Sequence, residues 1–270
     1  VPARSDASAH IVVLGAGAFG GWTAWHLGQA GHRVTLVDPW GPGNARASSG
    51  GDTRVLRHAY GNDLVYIDLA ARSLVLFREC EQRWNTPLFE RTGLLWMVQD
   101  DEQYELACLE SLNSAGIPHQ RLSVDDLQRR WPQLGLDGVR WAFFEEAAGV
   151  LLARRSCAAV FAAFVSAGGT SVPSAARPGP IRSGSMDGVL LADGTSLHAD
   201  AYVFACGPWL GQLFPDLLSE PLVRPTRQEV FTFGTPAGDS LHQPPQLPVW
   251  SDHGPTFWYG IPGNEGRGFK

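Results

Sequence analysis

The sequence is short of cysteine pairs, of long apolar runs and of positive charge, and each shortage excludes something. Its four cysteines (Cys80, Cys108, Cys157, Cys206) are widely spaced, with no CxxC pair. That is the pattern of buried free thiols in a reducing compartment, the cytoplasm, rather than of a disulfide framework. No uninterrupted apolar stretch approaches the roughly 20 residues of a membrane span, and the opening VPARSDASAH lacks the apolar core of a signal peptide. Eight histidines are scattered without HExxH or another ligand spacing, and no GxSxG elbow occurs. Metal hydrolase and serine hydrolase chemistry therefore have no motif to rest on. A net charge of −6 and a pI of about 5.7 supply no global field for nucleic acid or an anionic membrane.

What is present is enough apolar material for a core. The 270 residues are 44% hydrophobic and 18% charged, which fits one large or two smaller globular domains. The most legible stretch is HIVVLGAGAFGGWTAWHLGQAGHRVTLVD. Ile11 to Leu14 reads as a short apolar strand, Gly15-x-Gly17-x-x-Gly20 follows at once, and a helix runs to about Ala30, where Gly31 stops it. A second strand, Val34 to Val37, ends on Asp38. In that order the glycines have separate tasks. Gly15 makes the tight turn, Gly17 lets backbone approach a pyrophosphate, and Gly20 lets the helix pack on the strands. The helix N-terminus supplies N–H groups and partial positive charge to the phosphates, and Asp38 stands where a carboxylate accepts from ribose hydroxyls. The stretch predicts dinucleotide binding.

Further along, PWGPGNARASSG is turn-rich and predicts an exposed or cofactor-covering loop. Helices are predicted over 63–84, over 101–115 ahead of Gly116, from Ser123 to the Trp131-Pro132 stop, and over SCAAVFAAFVSAGG. TGLLWMV reads as a strand, and GVLLADGTSLHADAYVFACG as a hairpin turning at Asp193-Gly194, then a buried strand ending at Gly207. The last 50 residues carry eight prolines and two short β-like runs, RQEVFTF and TFWYGIP, which predict a mainly antiparallel sheet instead of further βαβ units. The fold class is α/β with an α+β portion. A dinucleotide fold over 1–84 and 150–219 is interleaved with a second, sheet-rich domain over 85–149 and 220–270.

One stretch stands out chemically. GGDTRVLRHAYG puts Arg54, Arg57 and His58 within five residues of an acidic chain. Together with GAGAFG, Asp38, FFEEAAGVL, RPTRQEV and FWYGIPGNEGRGFK, in that order, it resembles the flavin amine oxidases of the D-amino-acid-oxidase superfamily, most of all the sarcosine and N-methyltryptophan oxidases. The resemblance implies FAD as cofactor, in a glutathione-reductase-like fold, and a substrate domain whose antiparallel sheet roofs the flavin. It implies oxidation of a secondary amine, commonly an N-alkyl or cyclic amino acid, with O2 as acceptor. A dehydrogenase using another electron acceptor and a non-catalytic FAD-binding subunit are the alternatives.

By the same resemblance, FAD is held by Gly15, Gly17, Ala18, Phe19, Gly20, Asp38, Ser48, Thr53, Arg54, Gly207 and Trp209. Thr53 and Arg54 lie beside the flavin ring, Arg57 binds the substrate carboxylate, Tyr259 lines the pocket, and Lys270 stands where O2 is reduced. His58 reads as structural, and Cys206 as a small apolar residue. Ser49 and Gly50 replace a histidine pair of the family, and Pro178 has no N–H where relatives offer one to the adenine. The family pattern continues past Lys270, so a C-terminal segment is expected in addition to the small-molecule amine and O2. No nucleic acid, membrane or metal partner is expected.

Overall fold

Val12, Val13 and Leu14 are consecutive apolar residues with essentially no exposed surface, as in a strand covered on both faces. In the computed structural model, which describes residues 8–218 and 222–270, their strand His10–Leu14 lies inside a four-stranded parallel sheet. The strand order is Ala201–Phe204, His10–Leu14, Arg33–Val37, Thr170–Val172. Helix Ala18–Gln29 leaves the glycine loop and packs on helix Ala153–Ser166. Their approach is close, since a Cβ on Gly21 would stand 3.2 Å from Val160 Cγ1. The hairpin turns at Asp193-Gly194 as expected, with Asp193 accepting from Thr195 N–H at 2.9 Å and Gly194 at φ +86°. Ala201–Phe204 corrects an expectation. It is only half-buried, because it lies at the sheet edge with one neighbour.

A second compact unit, residues 53–152 and 228–270, is built on a five-stranded sheet. Its order is Trp258–Gly260, Val249–His253, Leu94–Val98, Trp141–Glu145, His119–Leu122. Every pairing is antiparallel except that of Val249–His253 with Leu94–Val98. Leu94–Val98 is buried at every position. One face packs Leu94, Trp96 and Val98 with Phe143, Trp141, Val249, Cys108 and Leu112. The other packs Leu95 and Met97 with Ala142, Leu122, Leu127 and Trp131. A small sheet joins Arg54–Leu56, Gly149–Leu151 and Phe89–Glu90.

Local chemistry sets the helices of this unit. Asp63 caps Leu64–Trp84, which ends at Asn85 in the left-handed region, and Gln103–Ser114 precedes Gly116 at φ +65°. Ser123 and Asp126 form a reciprocal capping box on Val124–Arg130. RQEVFTF, by contrast, forms no strand. Its apolar residues Val230, Phe231 and Phe233 are more than half exposed, so nothing rewards extension, and only Phe233 pairs with Phe269.

The first unit comprises residues 1–52 and 153–227. The chain thus crosses at 52/53 and 152/153, where the sequence reading set 84/85 and 149/150. Helical periodicity does not say which core the helix Leu64–Trp84 joins. The expected crossing at 219/220 lies outside the described residues.

Candidate active site

In the first unit the glycine loop is shaped by contacts that only glycine permits. Gly15 has φ +100°, and a Cβ there would stand 2.4 Å from Ala205 O. A Cβ on Gly20 would come within 1.7 Å of Gly15 O, so the loop and the helix start touch backbone to backbone. Gly17 caps the helix with no side-chain bond of its own, and no acidic residue lies in the first turn. Ala18 N–H donates to Ser49 Oγ at 3.2 Å, and Phe19 is 86% exposed.

Asp38, expected at a ribose, has backbone partners of its own. Its carboxylate accepts from Ala16 N–H at 2.8 Å, Trp40 N–H at 2.8 Å and Gly41 N–H at 2.7 Å, so it ties the glycine loop to the following turn. Of about four acceptor positions on a carboxylate, three are already used. The loop beyond is ordered by Asn44, which bonds Gly41 O, Arg46 N–H and Ala47 N–H. Arg154 also holds it, through Gly50 O and Asp52. Ser48 is exposed on this loop. Gly207, at φ +52°, opens the turn that brings Trp209 to a ring separation of 5.4 Å from Trp40. The Cys206 thiol is pushed up to about 11, first by burial and then by the Asp38 charge, and is inert at neutral pH.

The second unit gathers the cations. Thr53 is buried and its carbonyl accepts from Arg54. The Arg57 guanidinium lies over the Tyr60 ring at 4.7 Å and the Trp96 ring at 5.2 Å, and Nε is buried without a hydrogen-bond partner. Among the described residues no acidic side chain pairs with Arg57. Lys270 is not frayed. Its N–H and C=O both pair with Ile261, and its ammonium stands 5.6 Å from the Tyr259 ring. Burial, and then the charge of Arg54, hold the lysine below its ordinary 10.5. Arg54, Tyr259 and Lys270 are thus brought together. A run of ring contacts, Trp96 to His253 to Phe257 to Tyr259, connects them with the ring under Arg57.

Two buried pairs were not assigned from the sequence. Glu145, fully buried, holds His58, which agrees with the structural reading of that histidine. Glu105, 2% exposed, holds His253 Nδ1 at 2.5 Å. FFEEAAGVL was a signal for the first pair. The second had none, because its partners are 148 positions apart (253 − 105) and no motif joins them.

A family model described as FAD dependent oxidoreductase matches residues 10–268. The chain belongs to that family. The FAD-dependent oxidoreductase is 30% identical over 226 residues to a monomeric sarcosine oxidase of Bacillus sp. (strain B-0618), covering 83% of this chain and 57% of the relative. It is 25% identical over 255 residues to an N-methyl-L-tryptophan oxidase of Yersinia pestis (strain Pestoides F), covering 94% and 65%. Its fold matches that of NikD, an unusual amino acid oxidase essential for nikkomycin biosynthesis, at a TM-score of 0.68 and 23% identity, over 97% of this chain and 68% of that one. The chain therefore spans less than two thirds of the length of these curated relatives.

The residues present fit FAD. Its pyrophosphate requires backbone approach at a helix N-terminus free of acidic side chains; Gly17 adds no side chain there, and the Ala18 N–H is met only by the neutral Ser49 hydroxyl. Among the described residues no helix is long and apolar enough to cross a membrane, and no cluster of His, Cys, Asp or Glu could hold a metal.

Proposed function

We propose that this FAD-dependent oxidoreductase oxidises a carboxylate-bearing secondary amine, an N-alkyl or cyclic amino acid, to its imine. The amine loses its C–H and N–H hydrogens with two electrons, and O2 takes them up as hydrogen peroxide. The observation that carries the reading is Arg57. A half-buried guanidinium clasped by two rings and lacking an acidic partner among the described residues is costly unless an anion joins it, and a guanidinium fork orients a carboxylate through paired charge-assisted hydrogen bonds. Such orientation aims the adjacent C–H bond.

FAD, when bound, supplies the two-electron acceptor. Every other role belongs to the chain. Gly15, Gly17, Ala18, Phe19 and Gly20 cradle the pyrophosphate, with Asp38, Ser48, Gly207 and Trp209 completing the cofactor contacts in the first unit. Thr53 and Arg54 serve the flavin ring. Arg57 binds the carboxylate, Tyr259 lines the pocket, and Arg54 and Lys270 hold positive charge where negative charge develops. We place the activity in the cytoplasm, in keeping with four cysteines that form no disulfide.

An aerobic screen of N-methyl and cyclic amino acids on the holoenzyme tests this by peroxide release. Turnover only with an artificial dye, and no peroxide, replaces the oxidase by a dehydrogenase. A flavin spectrum that no amine bleaches replaces both by a non-catalytic FAD-binding subunit.

A further inference from the structure

Arg57 sits in a stretch of chain that no sheet holds directly. The strand before it, Arg54–Leu56, is laddered to Gly149–Leu151, and the helix after it begins at the Asp63 cap. Between them the backbone amides of His58 and Ala59 are buried and need acceptors. Both find the same one. Glu145 Oε1 accepts from His58 N–H at 2.5 Å and Oε2 from Ala59 N–H at 3.3 Å. Oε1 also meets His58 Nδ1 at 2.6 Å. A carboxylate oxygen accepts, and Nδ1 in its N–H tautomer donates to it. A fully buried carboxylate is tolerable only when its lone pairs are occupied, and here three donors from two consecutive residues occupy them.

We propose that Glu145 is the positioning residue of Arg57: by clamping His58 and Ala59 it sets the direction in which the guanidinium meets the substrate carboxylate. The inference rests on the carboxylate role proposed above for Arg57. Its geometric basis is that clamp and platform come from one pair of strands. Glu145 faces Leu94 across the ladder, and Phe143 faces Trp96, the ring beneath Arg57. Phe143 stacks on Trp96 at 5.3 Å and 10°. Carboxylate and ring are thus spaced by one two-residue repeat of a rigid sheet, about 7 Å. Glu146, next in sequence, points elsewhere, to Arg91 and Gln120 at the surface. Glu145 ends the strand and Glu146 lies in the turn beyond it, and the two adjacent carboxylates have opposite fates.

The test compares Glu145→Gln with Arg57→Ala in the holoenzyme. The amide keeps one oxygen and turns an N–H2 toward a donor, so the clamp loosens while side-chain volume is retained. One readout is acetate binding, followed by the change in flavin absorption. A second is KM for L-proline and N-methylglycine against pyrrolidine and dimethylamine, which lack the carboxylate. Glu145→Gln is expected to weaken acetate about tenfold and raise KM only for the carboxylate-bearing member of each pair, with kcat changed less than twofold. If Arg57→Ala shows this selectivity and Glu145→Gln stays within twofold of wild type, the positioning role is wrong and the carboxylate reading stands. If Arg57→Ala shows none, or the wild-type holoenzyme is indifferent to acetate, both fall together. Equal losses on both members of a pair overturn positioning in favour of general support. Should Glu145→Gln yield no holoenzyme, His58→Gln, which leaves both backbone bonds in place, is judged by the same criteria with about a threefold shift expected.

Discussion

Lys270 is the only lysine in the chain, and replacing it by methionine removes one charge at nearly constant length. The structure gives the size of the effect. The ammonium is partly buried, backbone-paired to Ile261 and 5.6 Å from the Tyr259 ring, so its position is fixed and solvent screening is reduced. At an effective dielectric of about 20, a charge pair is worth about 3–4 kcal/mol at separations of roughly 4–6 Å. Expressed fully at the barrier for electron transfer to O2, that is on the order of a hundred- to a thousandfold in rate. Lys270→Met is therefore expected to slow reoxidation of the reduced holoenzyme by O2 to that extent. Anaerobic reduction by substrate should change less than a few fold.

The pH dependence follows from the direction of the shift. Burial and Arg54 lower the lysine's proton affinity, so the charged form is lost as pH rises through a value below 10.5. The wild-type reoxidation rate should fall there, and the methionine variant should be flat. In that window the unfolded chain binds more protons than the folded one, so wild-type stability should rise with pH, and the variant should lose that rise. Stopped-flow measurement of the two half-reactions decides the matter. Near-normal, pH-responsive reoxidation in Lys270→Met would refute the electrostatic reasoning.

Gly17→Val should abolish retention of FAD, checked by the flavin-to-protein ratio after gel filtration, because even a Cβ there would stand 3.1 Å from Ser49 Oγ beside the helix N-terminus. Gly20→Ala drives a methyl against Gly15 O. Overpacking of that kind costs about 1–3 kcal/mol, so a fall in Tm of roughly 2–12 °C is expected by calorimetry. Arg57→Ala should raise KM for carboxylate-bearing substrates roughly ten- to a hundredfold, the loss of one charge-assisted pair at about 1.5–3 kcal/mol, while matched amines are spared.

The dinucleotide half was legible because its requirements are local. Strand, glycine turn, helix and acidic terminus lie within 29 consecutive residues, 10 to 38, each enforced by sterics that sequence displays directly. Asp38 was legible as the acidic end of its strand and no further. Its backbone partners Ala16, Trp40 and Gly41 carry no side-chain signature, so its loop-organising bonds were invisible. The second unit was less legible for the same reason in stronger form. Nothing local says that Val249–His253 pairs in parallel with a strand some 150 positions earlier, or that Glu145 and not Glu146 turns inward. RQEVFTF had the β pattern and lacked a covering surface, which pattern alone does not reveal.

The parallel placement of Val249–His253 beside Leu94–Val98 also bears on how the chain is made. Three strands of that sheet, including Leu94–Val98, leave the ribosome long before their remaining neighbour is translated. At about 5–20 residues per second the interval is roughly 8–30 s. Throughout it Leu94–Val98 is an unsatisfied, wholly apolar edge, the kind of template on which nascent chains pair wrongly. The parallel sheet of the other unit waits in the same way, with His10–Leu14 unflanked on one side until Ala201–Phe204 emerges. Both cores therefore close late, that of the first unit some 48 residues (249 − 201) ahead of the other. Chaperone dependence during synthesis should accordingly exceed what the stability of the finished protein would suggest.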